Sequence, residues 1–590
     1  MLNTNEGEMQ LHGIGGSPGI CIGKAYLVGK EGVDVVEKYF ISEENLKKET
    51  KRFRKAVKKA KDELFSIIEQ TPKKLRPHGS ILEAQMVLFK DKMLYGKTIK
   101  TIEKEMVNAE WALKKVVSNV KSMFDEMTDT YLKGRAADIM HVSDSIMQNL
   151  VGAEKEDIAA IEKRVILVAA DLSPADTSQI QLEKIMGFVT DRGGKTSHTG
   201  IIARTLEIPA VLGLDNASRI IKNDDIIIVD GTKGIVIINP TDKTLIQYEE
   251  RKDRYEAYKA GFTRDSHLPA ETVDSVLFQV MGNIELPEEV VSVIDNGGDG
   301  IGLYRTEFQY FNRLDFPDEH ELFDKYKDVV EVMAPRPVTI RTIDVNADKA
   351  IPYASDLDEI NPVLGLRGIR YCLKKPDVFK TQLRAILRAS AFGKVRVLFP
   401  MISCYDEVLH AKRILNQAAD SLDKEGVDFD KNMEVGIMIE VPSAVILADV
   451  MAKDVDFFSI GTNDLIQYSL AVDRGNPQVA HLYQPLSPAI IRMIKHVADV
   501  ARDHGLKISM CGEMAGDPVN MTILLGLGMD RFSVNPQSIP IIKSMIRLLN
   551  VEDARLFIKE VLKETTDTGV TELVHNTFGS IIFDIGYTEL

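Results

Sequence analysis

Cysteine is scarce in this chain, and its few cysteines follow no regular spacing. The four are Cys21, Cys372, Cys404 and Cys511. Neither a disulfide framework nor a zinc site is expected, because both need cysteines at short, characteristic separations. Scattered cysteines that stay reduced are typical of the cytoplasm, which is the compartment we predict.

Long apolar runs and an excess of positive charge are also absent. No stretch of about 18 apolar residues occurs, and Met1 to Met9 lacks the basic and apolar regions of a secretion signal. The 73 lysines and arginines are outnumbered by 88 acidic residues, for a formal net charge of −15. We therefore expect no membrane insertion and no nucleic-acid binding, since the latter needs a basic face. An anionic substrate would need arginines concentrated at one place.

Hydrophobic residues make up 44% of the 590 residues, enough for several cores and about three or four domains. Residues 1–28 and 158–240 alternate strands with short helices and predict one α/β domain. Residues 29–157 have helical periodicity and predict a bundle of about four helices inserted into it. Residues 241–268 are strongly charged and predict a connecting helix. Residues 269–590 repeat β-α units and predict a (β/α)₈ barrel.

The barrel prediction rests on short apolar segments, each followed by a helical pattern. Seven are clear: Val276–Val280, Gly300–Tyr304, Val338–Ile340, Val395–Phe399, Val435–Ile439, Phe457–Ile460 and Ile508–Met510. We expect an eighth near Gly365–Arg367. The active site of such a barrel lies at the carboxyl ends of its strands, here called the mouth.

One histidine stands where a covalent phosphoryl carrier would be placed. His198 lies in Gly193–Gly200, between a predicted buried strand at Ile185–Thr190 and a predicted helix. Free backbone N–H groups at a helix start favour an anion, and neutral imidazole is a nucleophile near neutral pH. The alternative is a loop histidine that is hydrogen-bonded to Thr196 or Ser197.

The predicted mouth collects arginines, carboxylates, one amide and one thiol. They are Arg305, Glu307, Arg341, Asp344, Arg367, Arg370, Glu440, Asn463, Asp464, Arg474, Cys511 and Glu513. Guanidinium groups bind phosphate and carboxylate bidentately, and we expect Glu440 and Asp464 to hold a hard cation, Mg²⁺. The ligand inferred from this set is a small phosphorylated carboxylic acid.

Each of these residues also has a purely structural interpretation. The arginines are able to form salt bridges with Glu307 and Asp344 instead of binding a ligand. Glu440 and Asp464 would then pair with arginines and never contact a metal. Cys511 taken alone is a small apolar residue of the core.

Several motifs carry a resemblance over nearly the whole chain. They are Leu167–Leu172, Gly193–Thr199, Gly302–Phe308, Gly436–Ser443, Gly461–Leu465 and Cys511–Gly516. With them the chain resembles the Enzyme I family of the bacterial phosphoenolpyruvate:sugar phosphotransferase system. Other phosphoenolpyruvate-utilising enzymes share the histidine domain and the barrel, but the inserted bundle resembles Enzyme I alone.

The resemblance implies a function and assigns roles to residues. Phosphoenolpyruvate would bind in the barrel, and His198 would accept its phosphoryl group and pass it to a histidine of the small phosphocarrier HPr. Cys511 would protonate the enolate of pyruvate, and the enzyme would be a homodimer through the barrel. The ligand-binding residues implied are Arg305, Arg341, Asn463, Asp464 and Arg474, with Arg367 as a further candidate and with Mg²⁺ on Glu440 and Asp464.

Two departures from the family pattern motivate an alternative, and a third bears only on substrate affinity or rate. Gln85 and Met140 stand in the predicted HPr-binding bundle where the family usually has other residues, and Asn346-Ala347 replaces a Gly-Gly pair in the barrel. The alternative is a specialised paralogue that is phosphorylated from phosphoenolpyruvate but serves another carrier or a regulatory role. A relative charged by ATP is disfavoured, because no Gly-rich phosphate loop precedes His198.

Overall fold

The computed structural model describes residues 4–5, 8–28, 38–70, 86, 89, 92–125, 130–151, 161, 163–172, 184–194, 199–200, 203, 208–310, 315–345, 361–474, 476 and 478–584. The chain forms two compact units, Met1–Glu256 and Ala257–Thr588. Within the described ranges, no helix is both long and apolar enough to cross a membrane.

The first unit contains a nine-stranded mixed sheet. Its strands are β1 Thr4–Asn5, β2 Glu8–His12, β3 Ile14–Ser17, β4 Ile20–Val28, β5 Val165–Ala169, β6 Ile185–Thr190, β7 Ala210–Leu212, β8 Ile226–Asp230 and β9 Ile235–Ile238. Their order across the sheet is β1-β2-β9-β8-β4-β5-β6-β7-β3. The sheet therefore joins the amino-terminal segment to strands that follow the helical bundle in sequence.

The parallel centre of this sheet is buried on both faces. Every residue of β5 is buried, and β5 pairs in parallel with β4 and β6. Because both faces are covered, β5 is a continuous apolar run instead of an alternating one. The predicted buried strand at Ile185–Thr190 is present as β6, immediately before the segment that holds His198.

The bundle of the first unit has a hydrophobic core of its own. Its described helices are α1 Leu46–Gln70, α2 Lys97–Glu105, α3 Ala109–Asp125 and α4 Thr130–Val151. Phe53, Ile102 and Leu113 are fully buried among apolar side chains from these helices. Arg52 pairs with Glu49 at 2.6 Å and with Glu110 at 2.7 Å, which ties α1 to α3. Two further helices of the chain are α5 Ala217–Ile220 and α6 Asp242–Asp265.

The second unit is a closed barrel of eight parallel strands, as the sequence predicted. After the short β10 Ala270–Glu271, the barrel strands are β11 Leu277–Ile284, β12 Ile301–Tyr304, β13 Val338–Arg341, β14 Val395–Phe399, β15 Glu434–Ile439, β16 Phe457–Ile460, β17 Lys507–Met510 and β18 Arg531–Val534. Each pairs in parallel with the next, and β11 pairs with β18 to close the ring.

The location of one barrel strand was predicted wrongly. Gly365–Arg367 forms no strand, and the eighth strand is β18, late in the chain. A 3₁₀ turn at Pro362–Leu364 precedes this segment, and a helix begins at Gly368, whose φ is +54°. That left-handed residue and the preceding turn leave no room for an extended run.

Helices surround the barrel and several have recognisable end signals. They are α7 Val290–Asp295, α8 Glu319–Met333, α9 Gly368–Lys374, α10 Pro376–Ala389, α11 Tyr405–Glu425, α12 Pro442–Ile446, α13 Ala448–Met451, α14 Thr462–Leu470, α15 Pro488–Asp503, α16 Pro518–Leu527, α17 Ile539–Leu548, α18 Val551–Val561 and α19 Asp567–Asp584. In α8 the side chain of Asp318 caps the backbone N–H of Glu321, and α10 starts at a proline, whose missing N–H costs nothing there.

Candidate functional site

The barrel brings the predicted mouth residues to one end. Arg305 follows β12, Arg341 ends β13, Glu440 follows β15 and Cys511 follows β17. Four more are in neighbouring segments: Arg367 directly before α9, Asn463 and Asp464 in the first turn of α14, and Arg474 after α14. The carboxyl ends of parallel strands share one edge, so residues far apart in sequence meet there.

Three carboxylates form the most acidic feature of the mouth. One oxygen each from Asp344, Glu440 and Asp464 lies within 4.8 Å of the others. Burial, followed by the charges of Asp464 and Asp344, raises the pKa of Glu440 to about 8. Clustered oxygen ligands that repel one another fit a hard divalent cation, which would remove the repulsion.

Glu440 is held in place by the backbone around it. Its Oε1 accepts a hydrogen bond of 2.6 Å from the N–H of Met401, and Met401 has the left-handed φ of +58°. Gly461 lies against the other oxygen, since a Cβ there would come within 2.7 Å of Glu440 Oε2. The glycine of the Gly-Thr-Asn-Asp motif is thus required for the close approach of α14 to this carboxylate.

Arg341 is buried between two acids and keeps one donor unused. Its Nη2 donates to Glu307 at 3.0 Å, and its Nη1 lies 3.3 Å from Asp344. Burial lowers the pKa of Arg341, but the carboxylates of Glu307, Asp344 and Glu440 outweigh this effect and raise it. The Nε is buried and has no hydrogen-bond partner among the described residues. An unsatisfied buried donor beside a carboxylate cluster is what an anionic ligand would complete.

Arg367 is more fully engaged by protein groups. It forms a bidentate pair with Asp344 at 3.0 and 2.8 Å and also donates to Asp464 at 3.2 Å and Tyr468 at 3.1 Å. Burial raises the pKa of Asp344, but Arg367 and Arg341 outweigh it and lower the value. The structural interpretation of the arginines therefore describes Arg367 better than it describes Arg341.

The remaining polar residues of the mouth are more exposed. Arg305 donates to Glu285 at 2.7 Å. Asn463 and Arg474 both donate to Oε1 of Glu513, at 3.1 and 3.2 Å. Exposed ion pairs are weak, so these side chains are able to exchange an acid for a ligand at little cost.

The mouth as a whole is short of positive charge. Its described charged groups are Arg305, Arg341, Arg367, Arg370 and Arg474, against Glu285, Glu307, Asp344, Glu440, Asp464 and Glu513. With every group ionised, five positive and six negative charges leave a net charge of −1. A bound divalent cation would remove this excess of negative charge, which an anionic substrate needs.

The thiol of Cys511 lies just inside the mouth. Cys511 is 3% exposed, and its Sγ contacts the backbone O of Ile460 at 3.5 Å. Burial raises the pKa of Cys511 to about 11, so the thiol keeps its proton near neutral pH. A neutral thiol is the form that a general acid requires.

The sequence did not single out every residue that builds this site. Asp344 was considered only as a salt-bridge partner, yet it completes the carboxylate cluster. Gln382 of α10 was missed: it donates to Thr306 at 3.0 Å and Tyr326 at 3.1 Å and accepts from the N–H of Ile343 at 3.0 Å. A glutamine within an otherwise apolar helix face is the only signal that sequence offers for such a network.

Replacing Gln382 with leucine is expected to destabilise the barrel by about 2 kcal/mol, because the N–H of Ile343 and two hydroxyl groups lose a buried partner. Calorimetry of the full chain measures the effect as a lower transition temperature. The control is Thr381→Val, because the Thr381 hydroxyl makes an exposed hydrogen bond within the same helix. Equal shifts in the two variants would contradict the prediction.

His198 lies outside the described residues, as do Lys195, Thr196 and Ser197. On the described side of this segment, the Thr199 hydroxyl is buried and donates to the backbone O of Leu172 at 3.3 Å. Gln85 and Asn346-Ala347 also lie outside the described residues, and Met140 is a half-buried residue of α4.

The fold and site define a class of protein that family comparisons recognise. The description "PEP-utilising enzyme, PEP-binding domain" matches residues 259–551, "PEP-utilising enzyme, N-terminal" matches residues 12–135, and "PEP-utilising enzyme, mobile domain" matches residues 161–234. The chain is therefore a phosphoenolpyruvate-utilising enzyme.

Curated relatives narrow the class. A phosphoenolpyruvate-protein phosphotransferase of Bacillus sp. (strain S) is 44% identical over 97% of this chain and 98% of its own. Proteins of the same name from Bacillus subtilis (strain 168) and Staphylococcus aureus are 43% and 40% identical over 96% of this chain and 100% and 99% of their own. The chain belongs to the family of phosphoenolpyruvate-protein phosphotransferases, which confirms the resemblance and the prediction of a phosphoryl-transferring enzyme.

Proposed function

We propose that the chain transfers the phosphoryl group of phosphoenolpyruvate to its own His198 and then to a histidine of an HPr-like phosphocarrier, releasing pyruvate. The observation that carries the proposal is the buried Nε of Arg341, which has no partner among the described residues and lies beside the Asp344, Glu440 and Asp464 carboxylates. A donor and a cation site at one place suit a phosphorylated carboxylic acid. The relatives' name supports the same substrate.

Arginines and amide groups hold the substrate. Arg341, Arg305 and Arg474, with Asn463, contact its phosphate and carboxylate groups. The ion pair with Glu307 fixes Arg341 in place. Arg305 exchanges its ion pair with Glu285 for a contact with the ligand, and Arg474 does the same with its ion pair to Glu513. Arg367 is a further candidate for contact with the substrate. Its ion pairs also hold Asp344 and Asp464 in position.

Mg²⁺ on Glu440 and Asp464 would neutralise substrate oxygens on which charge is spread during the transfer. The protein's own contribution is positional. Gly461 and the N–H of Met401 fix Glu440, and Arg341 offers its guanidinium to the phosphate. The imidazole of His198 attacks phosphorus in line with the leaving enolate oxygen, and the P–O bond breaks as the P–N bond forms.

Cys511 completes the release of pyruvate. Its S–H bond breaks as a C–H bond forms at the methylene carbon of the enolate, whose oxygen becomes the ketone carbonyl. The thiolate then takes a proton from water. Because burial keeps the thiol protonated, Cys511 is ready to act in each turnover.

The division of labour follows the predicted domains. Residues 1–28 and 158–240 carry the phosphohistidine, 29–157 bind the HPr-like carrier, 241–268 connect, and 269–590 bind phosphoenolpyruvate and dimerise. The enzyme acts in the cytoplasm as a homodimer and catalyses the first step of a sugar phosphotransferase system. Gln85 and Met140 favour a second candidate, in which the same phosphorylation serves another carrier or a regulatory role.

Isotopic labelling tests the proposal. Phosphoenolpyruvate with a labelled phosphoryl group and Mg²⁺ are expected to label the wild-type chain but not His198→Ala, since the imidazole is the only acceptor proposed. Label at an acid-labile phosphoramidate is measured by mass spectrometry.

The same experiment separates the alternatives. A wild-type chain that takes up no label would contradict the enzymatic proposal. Label that stays on the chain when HPr is added would favour the specialised paralogue. In a parallel reaction with labelled ATP and no phosphoenolpyruvate, label on the chain would indicate a different phosphoryl donor.

A further inference from the structure

Among the described residues, the side chain that is hydrogen-bonded to the thiol of Cys511 is Ser459, and the buried cluster around the thiol is apolar. Leu303, Leu398, Met438 and Phe457 form one buried cluster with it. The hydroxyl of Ser459, on β16, donates a hydrogen bond of 3.2 Å to Cys511 Sγ. Ser459 itself is 0% exposed, so water does not compete for this hydroxyl.

A second serine shows that this contact is specific. Ser509 on β17 is the register partner of Ser459 on β16 and is buried as well. Its hydroxyl donates to the backbone O of Phe458 at 3.3 Å and not to the thiol. Two serines therefore oppose each other on adjacent strands, and only Ser459 gives its hydroxyl to the sulfur.

We propose that Ser459 is a positioning residue for the protonation of the pyruvate enolate, holding Sγ of Cys511 and donating to the thiolate that remains. The inference rests on the proposed function, in which Cys511 is the acid. The Ser459 hydroxyl keeps its own proton throughout. When Cys511 loses its proton, the weak hydrogen bond from this hydroxyl to a neutral thiol becomes a charge-assisted hydrogen bond to a thiolate.

The charge balance explains why such a donor is needed. When the S–H electron pair stays on sulfur, a negative charge appears among apolar side chains, where it is costly. Burial raises the pKa of Cys511, and the Ser459 hydroxyl is the largest influence that lowers it. The other end of the cysteine is held separately, because Asn283 donates to its backbone O at 3.2 Å.

The test compares Ser459→Ala with Ser509→Ala in the full-length chain, supplied with phosphoenolpyruvate and Mg²⁺. Two quantities are measured: the infrared S–H stretching band of Cys511, assigned by its loss in Cys511→Ala, and the rate of pyruvate formation. Ser459→Ala is expected to shift the band and slow pyruvate formation about tenfold, the effect of one hydrogen bond to a charged group. The half-saturating phosphoenolpyruvate concentration stays unchanged, and the rate becomes more sensitive to D₂O.

The control and rescue variants make the result specific. Ser509→Ala is expected to change neither the band nor the rate, and Ser459→Thr to recover most of the rate because it restores the hydroxyl. An unchanged band in Ser459→Ala would overturn the inference, as would a shifted band with an unchanged rate or an equal loss in Ser509→Ala. Failure of the wild type to be labelled at His198 would instead overturn the proposed function, while the band would still report whether the contact exists.

Discussion

Glu440→Gln is expected to lower the rate of His198 phosphorylation by about 10³-fold, because a bound metal contributes several kcal/mol to such a transfer. The amide keeps an oxygen for the N–H of Met401, so the fold around it is preserved. What is lost is a charged metal ligand. Calorimetric titration with Mg²⁺ is expected to show the loss of binding directly.

Glu434 provides the matched control for Glu440. It is the first residue of β15, at the opposite end of the strand that leads to Glu440, and it pairs with Arg396. Glu434→Gln is expected to leave Mg²⁺ binding and phosphorylation unchanged. If Glu440→Gln binds Mg²⁺ as well as the wild type does, Glu440 is not a ligand, and the cluster has the purely structural role.

Arg341→Met is expected to have the second large effect, and it acts on two properties. The loss of a charged donor to the phosphate should lower kcat/KM for phosphoenolpyruvate by about 10²–10³-fold. The buried carboxylates of Glu307 and Asp344 lose a partner, which should cost about 3–5 kcal/mol of stability. Steady-state kinetics and calorimetry of the same preparation measure both.

A double variant separates these two effects. Adding Glu307→Gln removes one of the stranded charges, so Arg341→Met with Glu307→Gln should regain part of the stability and none of the activity. Recovery of activity in the double variant would show that Arg341 serves only to neutralise the charges of Glu307 and Asp344. Arg341→Lys keeps the charge but not the planar fork, and intermediate activity is expected from it.

Most of the barrel follows from the local pattern of the chain. Seven of its strands coincide with short, largely apolar segments of the sequence, and β12, β13, β14 and β16 are buried at every residue, which is the pattern that parallel strands need. β18, Arg531–Val534, was missed although its pattern, a charged residue followed by two apolar residues separated by a serine, is the same as that of β17, Lys507–Met510. A strand was wrongly predicted at Gly365–Arg367 because the prediction did not take into account the turn that precedes this segment or the left-handed conformation of Gly368 that follows it.

The candidate site was less accessible to sequence than the fold. Residue types at strand ends indicated arginines, two metal ligands and a thiol, and the motifs assigned their roles. Nothing local distinguished Arg341, whose Nε is unpaired within the described part of the chain, from Arg367, whose guanidinium is engaged by Asp344, Asp464 and Tyr468. Such differences depend on distances between strands that are remote in sequence.

By itself, the sequence determined the family, the barrel, the bundle, and the kinds of side chain available for phosphoryl transfer, because hydrophobic periodicity and motifs are local properties. Only the tertiary structure decided that Asp344 joins Glu440 and Asp464, and that Ser459 rather than Ser509 meets Cys511. The reason is physical: charge and hydrogen-bond energies depend on separation and burial, and closure of the barrel sets both.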